Sequence, residues 1–351
     1  MFFLSVLAFV LVFTIVVVVH EAGHLIFAKL SGIDVFEFSV GLGPKIYSRK
    51  FGSTRYSIRA LPLGGYVRIA GLDPNEEEPE SHTPYEKTYN SKTAPIRALS
   101  IAAGPIMNFF LAALLTSIII GAIGIATPSN VVAAVEQNSP ASRIGLQKGD
   151  KIVALQNKPI HSMSEAIAQI HHSNGKTLTL TLLRGGQEKT HTVTPEFDDR
   201  IGRWRIGFAP DTEFIKPNVF IIPFEGIKIS AQKTWEILTA LFSLITGKIS
   251  VAGLVGPVGI AYLSGQALQN GFLTFISFAS VLSINLFIVN LLPIPALDGG
   301  RLFFIVLEMI FRRPILTPER EARVHQIGIV VLLALIAILT IKDIIRFPLP
   351  I

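Results

Sequence analysis

The sequence predicts a multi-pass α-helical membrane protein with four transmembrane helices, a membrane-associated β section and an inserted α+β domain. Two observations indicate this fold class. Only 16% of the 351 residues are charged, against about 25% in an average soluble domain. The uncharged residues gather in long apolar runs, and segments between these runs alternate apolar and polar side chains as half-buried strands do. A fully soluble protein is therefore excluded.

The four apolar runs lie at residues 2–19, 98–126, 272–292 and 327–341. A helix needs about 20 apolar residues to cross a bilayer, and three of the runs reach or approach that length. The last run is shorter but continues until Lys342. No basic residue precedes the first run and no small-residue cleavage pattern follows it. We therefore expect a retained membrane helix and not a cleaved signal peptide.

The distribution of charge predicts the topology. The net charge is +6, but ten Lys and Arg lie within residues 29–97 and five within 301–323. These cations flank the apolar runs, so they indicate cytoplasmic loops and no nucleic-acid partner. The N-terminus, residues 128–270 and the C-terminus are then on the outer side. The chain has no Cys, so no disulfide framework indicates the redox compartment.

The pattern divides the chain into eight segments. They are the first transmembrane helix (1–28), a β section with a loop (29–94), the second transmembrane helix (95–127), an α+β domain (128–210), an interfacial amphipathic linker (211–271), the third transmembrane helix (272–300), a cytoplasmic loop (301–326) and the fourth transmembrane helix with the tail (327–351).

Alternation supports the two β-containing segments. In the β section it covers 36–40 and 55–61, with turns at Gly41–Pro44 and Pro62–Gly65, and Asp73 to Pro84 is predicted as a solvated loop. In the α+β domain, strands are predicted at 131–135, 151–156, 177–183 and 189–194, and a helix at 164–172. Residues 217–247 form an amphipathic stretch whose apolar part is too short to span, so we expect it at the bilayer surface.

One motif carries chemistry. His20-Glu21-Ala22-Gly23-His24 matches H-E-x-x-H. Positions i and i+4 share a helix face, so both imidazoles can reach one metal while Glu21 points to the adjacent water. Imidazole suits Zn²⁺, which keeps an open position for water in catalytic sites. The motif ends an apolar helix, where a Glu is unfavourable unless it has a partner or faces water, and a zinc site explains its presence.

A catalytic zinc needs a third protein ligand. Asp298 is the best candidate because it ends the third apolar run on the same predicted side of the membrane as the motif. Pro293 and Pro295 break the helix just before it, which at membrane depth is tolerated only beside protein or a water-filled cavity. The alternative is a plain turn in which Asp298 and Gly299 cap the helix.

Together these residues resemble the site-2 protease family of intramembrane metalloproteases, and the bacterial regulator of sigma-E protease closely. The resemblance rests on H-E-x-x-H, on Ala103–Asn108 and on Asn290–Gly300, with further matches at 41–44, 61–67 and 256–261. It implies that His20, His24 and Asp298 bind Zn²⁺ and that Glu21 is the general base. It also implies a role in substrate handling for Asn285 and Asn290, and we group Asn108, Pro293 and Pro295 with them.

Residues 130–210 resemble a PDZ domain in the permuted bacterial order. Ile206-Gly207-Phe208 matches the loop that receives a peptide carboxylate, and helix 164–172 is the other wall of the groove. About 145 residues separate the second and third helices, which leaves room for one PDZ domain, whereas the sigma-E-regulating relatives carry two. The resemblance therefore does not carry over a particular substrate.

The resemblance implies a zinc endopeptidase of the bacterial inner membrane that cleaves single-pass membrane proteins, such as anti-sigma factors or signal-peptide remnants. Its other expected partner is membrane lipid. A membrane-tethered chaperone or signalling module with a structural metal is one alternative, but it would need a fourth protein ligand. A metal transporter is another, but the second and fourth apolar runs carry no ionisable residue in their interiors.

Overall fold

The computed structural model describes residues 2–72, 83–160, 162–199, 202–250 and 253–347. They form two compact units, the first comprising Met1–Ile119 with Phe220–Ile351 and the second Ile120–Val219. Most of the predicted loop from Asp73 to Pro84, and the end of the predicted C-terminal tail, lie outside the described residues.

The described elements follow one another along the chain. In order they are α1 (Phe2–Leu30), β1 (Val35–Phe51), β2 (Thr54–Ile69), α2 (Ala94–Ile123), β3 (Ile125–Val135), α3 (Pro140–Arg143), β4 (Lys151–Leu155), β5 (Lys158–Pro159), α4 (Met163–His171), β6 (Leu178–Arg184), β7 (Gln187–Val193), β8 (Glu196–Asp198), β9 (Arg203–Arg205), β10 (Phe208–Ile215), α5 (Ile222–Ile245), α6 (Pro257–Gln269), α7 (Phe272–Leu291), α8 (Asp298–Phe311) and α9 (Pro318–Arg346).

Four of these helices, α1, α2, α7 and α9, are long and apolar enough to cross a membrane, as the four predicted runs require. Along α1, Ala8, Val12 and Val16 are buried against Phe275 and Leu282 of α7. Further along the same helix, Leu25 and Ala28 join a second cluster with residues of β1, β2 and α8. The first helix therefore contacts both the membrane bundle and the β section.

The predicted C-terminal boundary of the third helix, 272–300, is wrong. α7 stops at Leu291, a segment of bends and turns follows, and Asp298 begins the new helix α8. Pro293 and Pro295 cannot donate backbone hydrogen bonds, and each disfavours a helical residue before it. The predicted cytoplasmic loop 301–326 is consequently mostly helix, shared between α8 and the start of α9.

The β section folds more tightly than its two alternating segments predicted. Residues 35–40 pair with 65–69 and also with 55–58, and 45–51 pair with 54–59. The predicted turns at Gly41–Pro44 and Pro62–Gly65 lie inside β1 and β2, where the register shifts. Gly41, Gly43 and Gly64 have positive φ, which lets the chain bend sharply without leaving the sheet.

The predicted linker 211–271 contains two helices, α5 and α6. Gly226 of α5 lies so close to α2 that a Cβ there would meet Ser117 Oγ at 2.0 Å, and Ile237 and Leu241 pack beside Ile284 of α7. Small residues permit such close helix approach in membranes. An amphipathic pattern alone does not distinguish a helix packed on a bundle from one at a bilayer surface.

The second unit is a sheet in the order β10-β3-β4-β6-β7, with β5 beside β4 and a separate pair β8-β9. Its core includes Ile152, Ile170, Leu180 and Ile206. β3, β4, β6 and β7 correspond to the four predicted strands, and α4 corresponds to the predicted helix at 164–172. Most of β10, from residue 211 onward, had been assigned to the linker. Pairing with β3, from Phe208–Val135 to Ile215–Ile125, stabilises this strand despite Pro210.

Candidate metal centre

Three potential metal ligands converge, two from within α1 and one from the start of α8. His20 Nε2 and His24 Nε2 are 3.2 Å apart, and Asp298 Oδ2 lies 3.0 and 3.4 Å from them. Both imidazoles are buried, with 7% and 5% of the residue exposed. Among the residues that the structure describes, these three form the only His/Cys/Asp/Glu group close enough to hold a metal ion.

The hydrogen bonds of His24 fix its tautomer. Its Nδ1 lies 2.9 Å from the carbonyl oxygen of Ser100. A carbonyl can only accept, so Nδ1 carries the proton and Nε2 presents a lone pair. This is the arrangement that a metal-binding imidazole needs.

Asn108 fixes the tautomer of His20 once the nitrogen and oxygen of its side-chain amide are assigned. Asn108 Nδ2 lies 3.3 Å from His20 Nδ1, while Asn108 Oδ1 is buried without a hydrogen-bond partner in the described part of the chain. The nitrogen and oxygen of an amide are assigned from the hydrogen-bond network. A half-turn places Oδ1 where it accepts from His20 Nδ1–H, and His20 Nε2 then also presents a lone pair.

The Asp298 carboxyl completes the set as an anion. A carboxyl group is ordinarily ionised near neutral pH. Asp298 Oδ2 has no partner with hydrogen-bond geometry among the described residues. Two imidazole nitrogens and one carboxylate oxygen thus face one point without a proton between them, and this donor set fits Zn²⁺.

Helix α2 supplies the face against which the two imidazoles pack. Ser100, Gly104 and Asn108 are four residues apart and therefore share one side of the helix. A Cβ on Gly104 would lie 2.2 Å from His24 Nε2, and one on Gly23 would lie 2.3 Å from the Ala103 carbonyl oxygen. Only glycine at these two positions lets α1 and α2 approach closely enough to seat the imidazoles.

The break between α7 and α8 delivers Asp298. Ala296 has a φ of 82°, and its N–H donates to His325 Nδ1 of α9 at 3.0 Å. A Cβ on Gly299 would meet the Leu292 carbonyl oxygen at 2.1 Å. The glycines after Asp298 therefore allow the first turn of α8 to pack against the segment between the two helices, and the Asp298 carboxylate lies 3.0 Å from His20 Nε2 of α1.

Glu21 opens onto a cavity of about 280 Å³ beside the three ligands. The cavity is lined by His20, Glu21, His24, Tyr66, Val67, Ile69, Leu72, Ile101, Ala296, Leu297, Asp298, Arg301, His325 and Ile329. Tyr66, Val67 and Ile69 are among these lining residues, so the last residues of β2 border the site.

The structure places the predicted substrate-handling residues elsewhere. Asn108 is fully buried and lies behind His20, so it contacts a ligand and not the cavity. The residues that the structure gives as lining the cavity do not include Asn285, Asn290, Pro293 or Pro295. The two prolines act instead by breaking the helix before Asp298.

The predicted groove residues of the second unit take part in its core. Ile206 is 1% exposed in the core and Phe208 packs against that core. Gly207 has a φ of 83°, and a Cβ there would lie 2.3 Å from Ser139 Cβ, so a side chain at this position would disturb the fold. Beside Gly207 lies a cavity of about 330 Å³, where Arg205 is paired with Glu136 and with Asp198.

Sequence reasoning missed Tyr66, Val67, Arg301 and His325 as neighbours of the site. Tyr66 and Val67 belong to a segment noted only for its family resemblance, because alternation predicts a strand and not what the strand faces. His325 lies in the polar first turns of α9, where nothing in the local sequence indicates a contact with Ala296.

The profile of peptidase family M50 matches residues 8–335. A chain from Clostridium perfringens is 37% identical over 347 residues, covering 96% of this chain and 97% of that one. Zinc metalloprotease RasP of Oceanobacillus iheyensis is 32% identical over 424 residues, with 97% and 99% covered. Regulator of sigma-W protease RasP of Bacillus subtilis is 32% identical over 421 residues, with 99% of each covered.

Among solved structures, the PDZ domain of an SdrC-like protein from Listeria monocytogenes is similar to 24% of this chain and 90% of its own. The identity is 23% and the TM-score 0.22.

Proposed function

The chain belongs to peptidase family M50 and is a zinc metalloendopeptidase, and we propose that it cleaves transmembrane segments of single-pass proteins in a bacterial membrane. The observation that carries this proposal is the depth of the site. His20 precedes the end of α1 at Leu30 by ten residues, about 15 Å along a helix. Both imidazoles therefore lie within a helix that is long and apolar enough to cross a membrane.

We assign roles to four residues. His20, His24 and Asp298 hold the zinc, which when bound would polarise a scissile carbonyl and lower the pKa of a water. Glu21 accepts the proton of the attacking water and later gives it to the leaving amine.

The end of β2 offers a place for the substrate. A helical peptide bond must unwind before it is cut, and its freed backbone groups need partners within the membrane. Residues 65–69 pair with 35–40 on one side, and Tyr66, Val67 and Ile69 line the cavity. We propose that an extended substrate segment adds to the edge of 65–69, which places its backbone beside Glu21.

The relatives suggest the class of substrate. One of them is named a regulator of sigma-W protease, and by analogy we propose membrane-anchored regulators, such as anti-sigma factors, as substrates of this chain. Signal-peptide remnants have the same chemistry, an apolar helix with a short outer segment. We propose that the second unit, on the outer side of the membrane, excludes substrates that retain a large outer domain.

The assignment of roles is tested by separating metal binding from cleavage. Glu21→Gln should keep about one zinc per chain and lose at least 100-fold in cleavage rate, because a general base contributes about 10²–10⁴-fold. Asp298→Asn should lose zinc, measured by elemental analysis of the purified chain. The matched controls are Glu213→Gln and Asp211→Asn, which change exposed acids of β10.

Two results would contradict these roles. Normal cleavage by Glu21→Gln would show that Glu21 is not the general base. Full zinc content in Asp298→Asn would show that Asp298 is not the third ligand. The substrate class is tested by comparing membrane-protein fragments in cells with the active enzyme and with Glu21→Gln, since true substrates should accumulate uncut only with the variant.

A further inference from the structure

The turn between β1 and β2 carries cations that face one another. Lys50 lies directly opposite Arg55, and Arg49 is adjacent to them opposite Tyr56. All three cations are exposed, and in the described part of the chain none has a hydrogen bond or an ion pair with an acidic group. Like charges directly opposite in a sheet are destabilising, so the fold tolerates an unfavourable cluster here. We call Arg49, Lys50 and Arg55 the basic tip.

A second pair of facing cations in the same sheet has its charge balanced by an acidic residue. Lys45 lies opposite Arg59, but Glu37 is 3.7 Å from Lys45 Nζ and 3.0 Å from Arg59 Nη2. Ser57 donates a further hydrogen bond to this carboxylate. The sheet thus neutralises one like-charge pair with a buried acid, and in the described part of the chain no acid does the same for the other pair.

Exposed apolar side chains accompany the basic tip. Ile46, Tyr47 and Phe51 are 70%, 58% and 75% exposed. Cations beside solvent-exposed aromatic and aliphatic groups are the composition of segments that lie at a membrane interface, with the apolar groups among the acyl chains and the cations at the headgroups.

Contacts with α1 place the basic tip at the end of a membrane span. Tyr56 accepts a hydrogen bond from Lys29 Nζ at 3.0 Å, in the last turn of α1. At the other end of the sheet, Thr14 donates to the Pro62 carbonyl oxygen. Thr14 and Lys29 are about 22 Å apart along a helix, so Pro62 lies at mid-span while the basic tip is level with the first cation beyond the span.

We propose that the basic tip binds the headgroups of anionic phospholipids in the leaflet at the Lys29 end of α1. The phosphates supply the negative charge that the Lys50–Arg55 pair lacks, and Phe51 and Tyr47 enter the acyl region beside them. Docking fixes the end of the sheet that carries the basic tip against the bilayer. It thereby holds the strand edge at residues 65–69 in place over the ligand site.

The test measures lipid contact directly and needs no substrate, so its outcome is independent of peptidase activity. The chain has no Cys, so Ser53→Cys, in the turn between Phe51 and Thr54, introduces a single site for a polarity-sensitive fluorophore. The labelled full chain is placed in nanodiscs of phosphatidylcholine alone or with one third phosphatidylglycerol. Quenching by neutral acrylamide then reports how much of the tip remains in water.

We expect phosphatidylglycerol to reduce the quenching severalfold. Each cation near an anionic surface shifts such an equilibrium about fivefold, so three shift it about 100-fold. Arg49→Gln, Lys50→Gln and Arg55→Gln combined should abolish the lipid dependence, and high salt should weaken it. The matched control removes three exposed cations of the second unit, Lys158, Lys176 and Lys189, and should retain the full response.

Three results would overturn the proposal. Equal quenching in both lipids excludes anionic headgroups as the partner. A lipid response that survives the triple Gln substitution excludes the basic tip as its cause. The label could also be protected from quenching in both lipids. If that protection is lost when Glu76, Glu77 and Glu78 become Gln, the partner of the basic tip is the acidic segment of this chain and not lipid.

Discussion

Gly104→Ala tests whether α2 shapes the metal centre. The added Cβ would lie 2.2 Å from His24 Nε2, 2.6 Å from Cε1 and 2.7 Å from Cδ2. Real Cβ atoms essentially never come within 3.0 Å of another heavy atom, so the imidazole must move by at least 0.8 Å. Metal–ligand distances tolerate about 0.2 Å. The His24 nitrogen is therefore displaced well beyond the range of a normal zinc bond.

We expect zinc affinity to fall by at least about 10–100-fold, the range seen when ligand-orienting contacts are lost, and cleavage by about 100-fold for a misplacement near 1 Å. Alanine is intrinsically better than glycine in a helix by about 0.5–1 kcal/mol. Any loss of function is therefore not explained by weaker helix formation. Zinc affinity is measured by competition with a chelator, and cleavage on the same membrane substrate.

Gly253→Ala is the matched control, because no heavy atom lies within 4 Å of a Cβ built there and its φ is not positive. It should leave zinc affinity and cleavage unchanged. Wild-type zinc affinity and cleavage in Gly104→Ala would refute the reasoning, since the imidazole would then not occupy the space that only glycine leaves open.

Three further predictions follow from other parts of the chain. Asn108→Ala should weaken zinc binding about 10–100-fold while Asn108→Asp, which still accepts from His20 Nδ1, restores most of it; equal losses in both would contradict the assigned tautomer. Lys189→Cys should be labelled by an impermeant reagent in intact cells, and labelling only after permeabilisation would reverse the proposed topology; Ser173, the obvious neutral position, is 8% exposed and unsuitable. Replacing residues 126–214 by a short linker between the paired Ile125 and Ile215 should admit substrates with untrimmed outer domains, and an unchanged preference for trimmed substrates would exclude the size filter.

Local spacing made part of the metal centre predictable. His20 and His24 are four residues apart on a helix, so their meeting follows from helix geometry alone. Asp298 is remote in sequence, and it was proposed because it ends the third apolar run on the same predicted side of the membrane as the motif, although a plain turn was an open alternative. The donor set was therefore accessible from the sequence, although the role of each residue stays a prediction.

The supporting contacts were not accessible in the same way. Ser100, Gly104 and Asn108 share a helix face, but nothing in the sequence states that this face meets His20 and His24. The same limit applied to Asp298, which was expected to end a helix and instead begins one. Helix packing and chain reversal depend on contacts between segments distant in sequence, and periodicity carries no information about them.

The depth of the β section supports the proposal that this chain cleaves an unwound membrane helix. Unpaired backbone groups are not tolerated against lipid, but they are tolerated where they line a cavity within the protein. Thr14 donates to the Pro62 carbonyl oxygen, and a few residues later Val67 lines the same cavity as Glu21. The strand edge proposed to pair with a substrate and the carboxylate proposed to activate water thus border one cavity. On this proposal, an unwound peptide that pairs with the edge is already beside the ligands, and no second movement of the substrate is needed before cleavage.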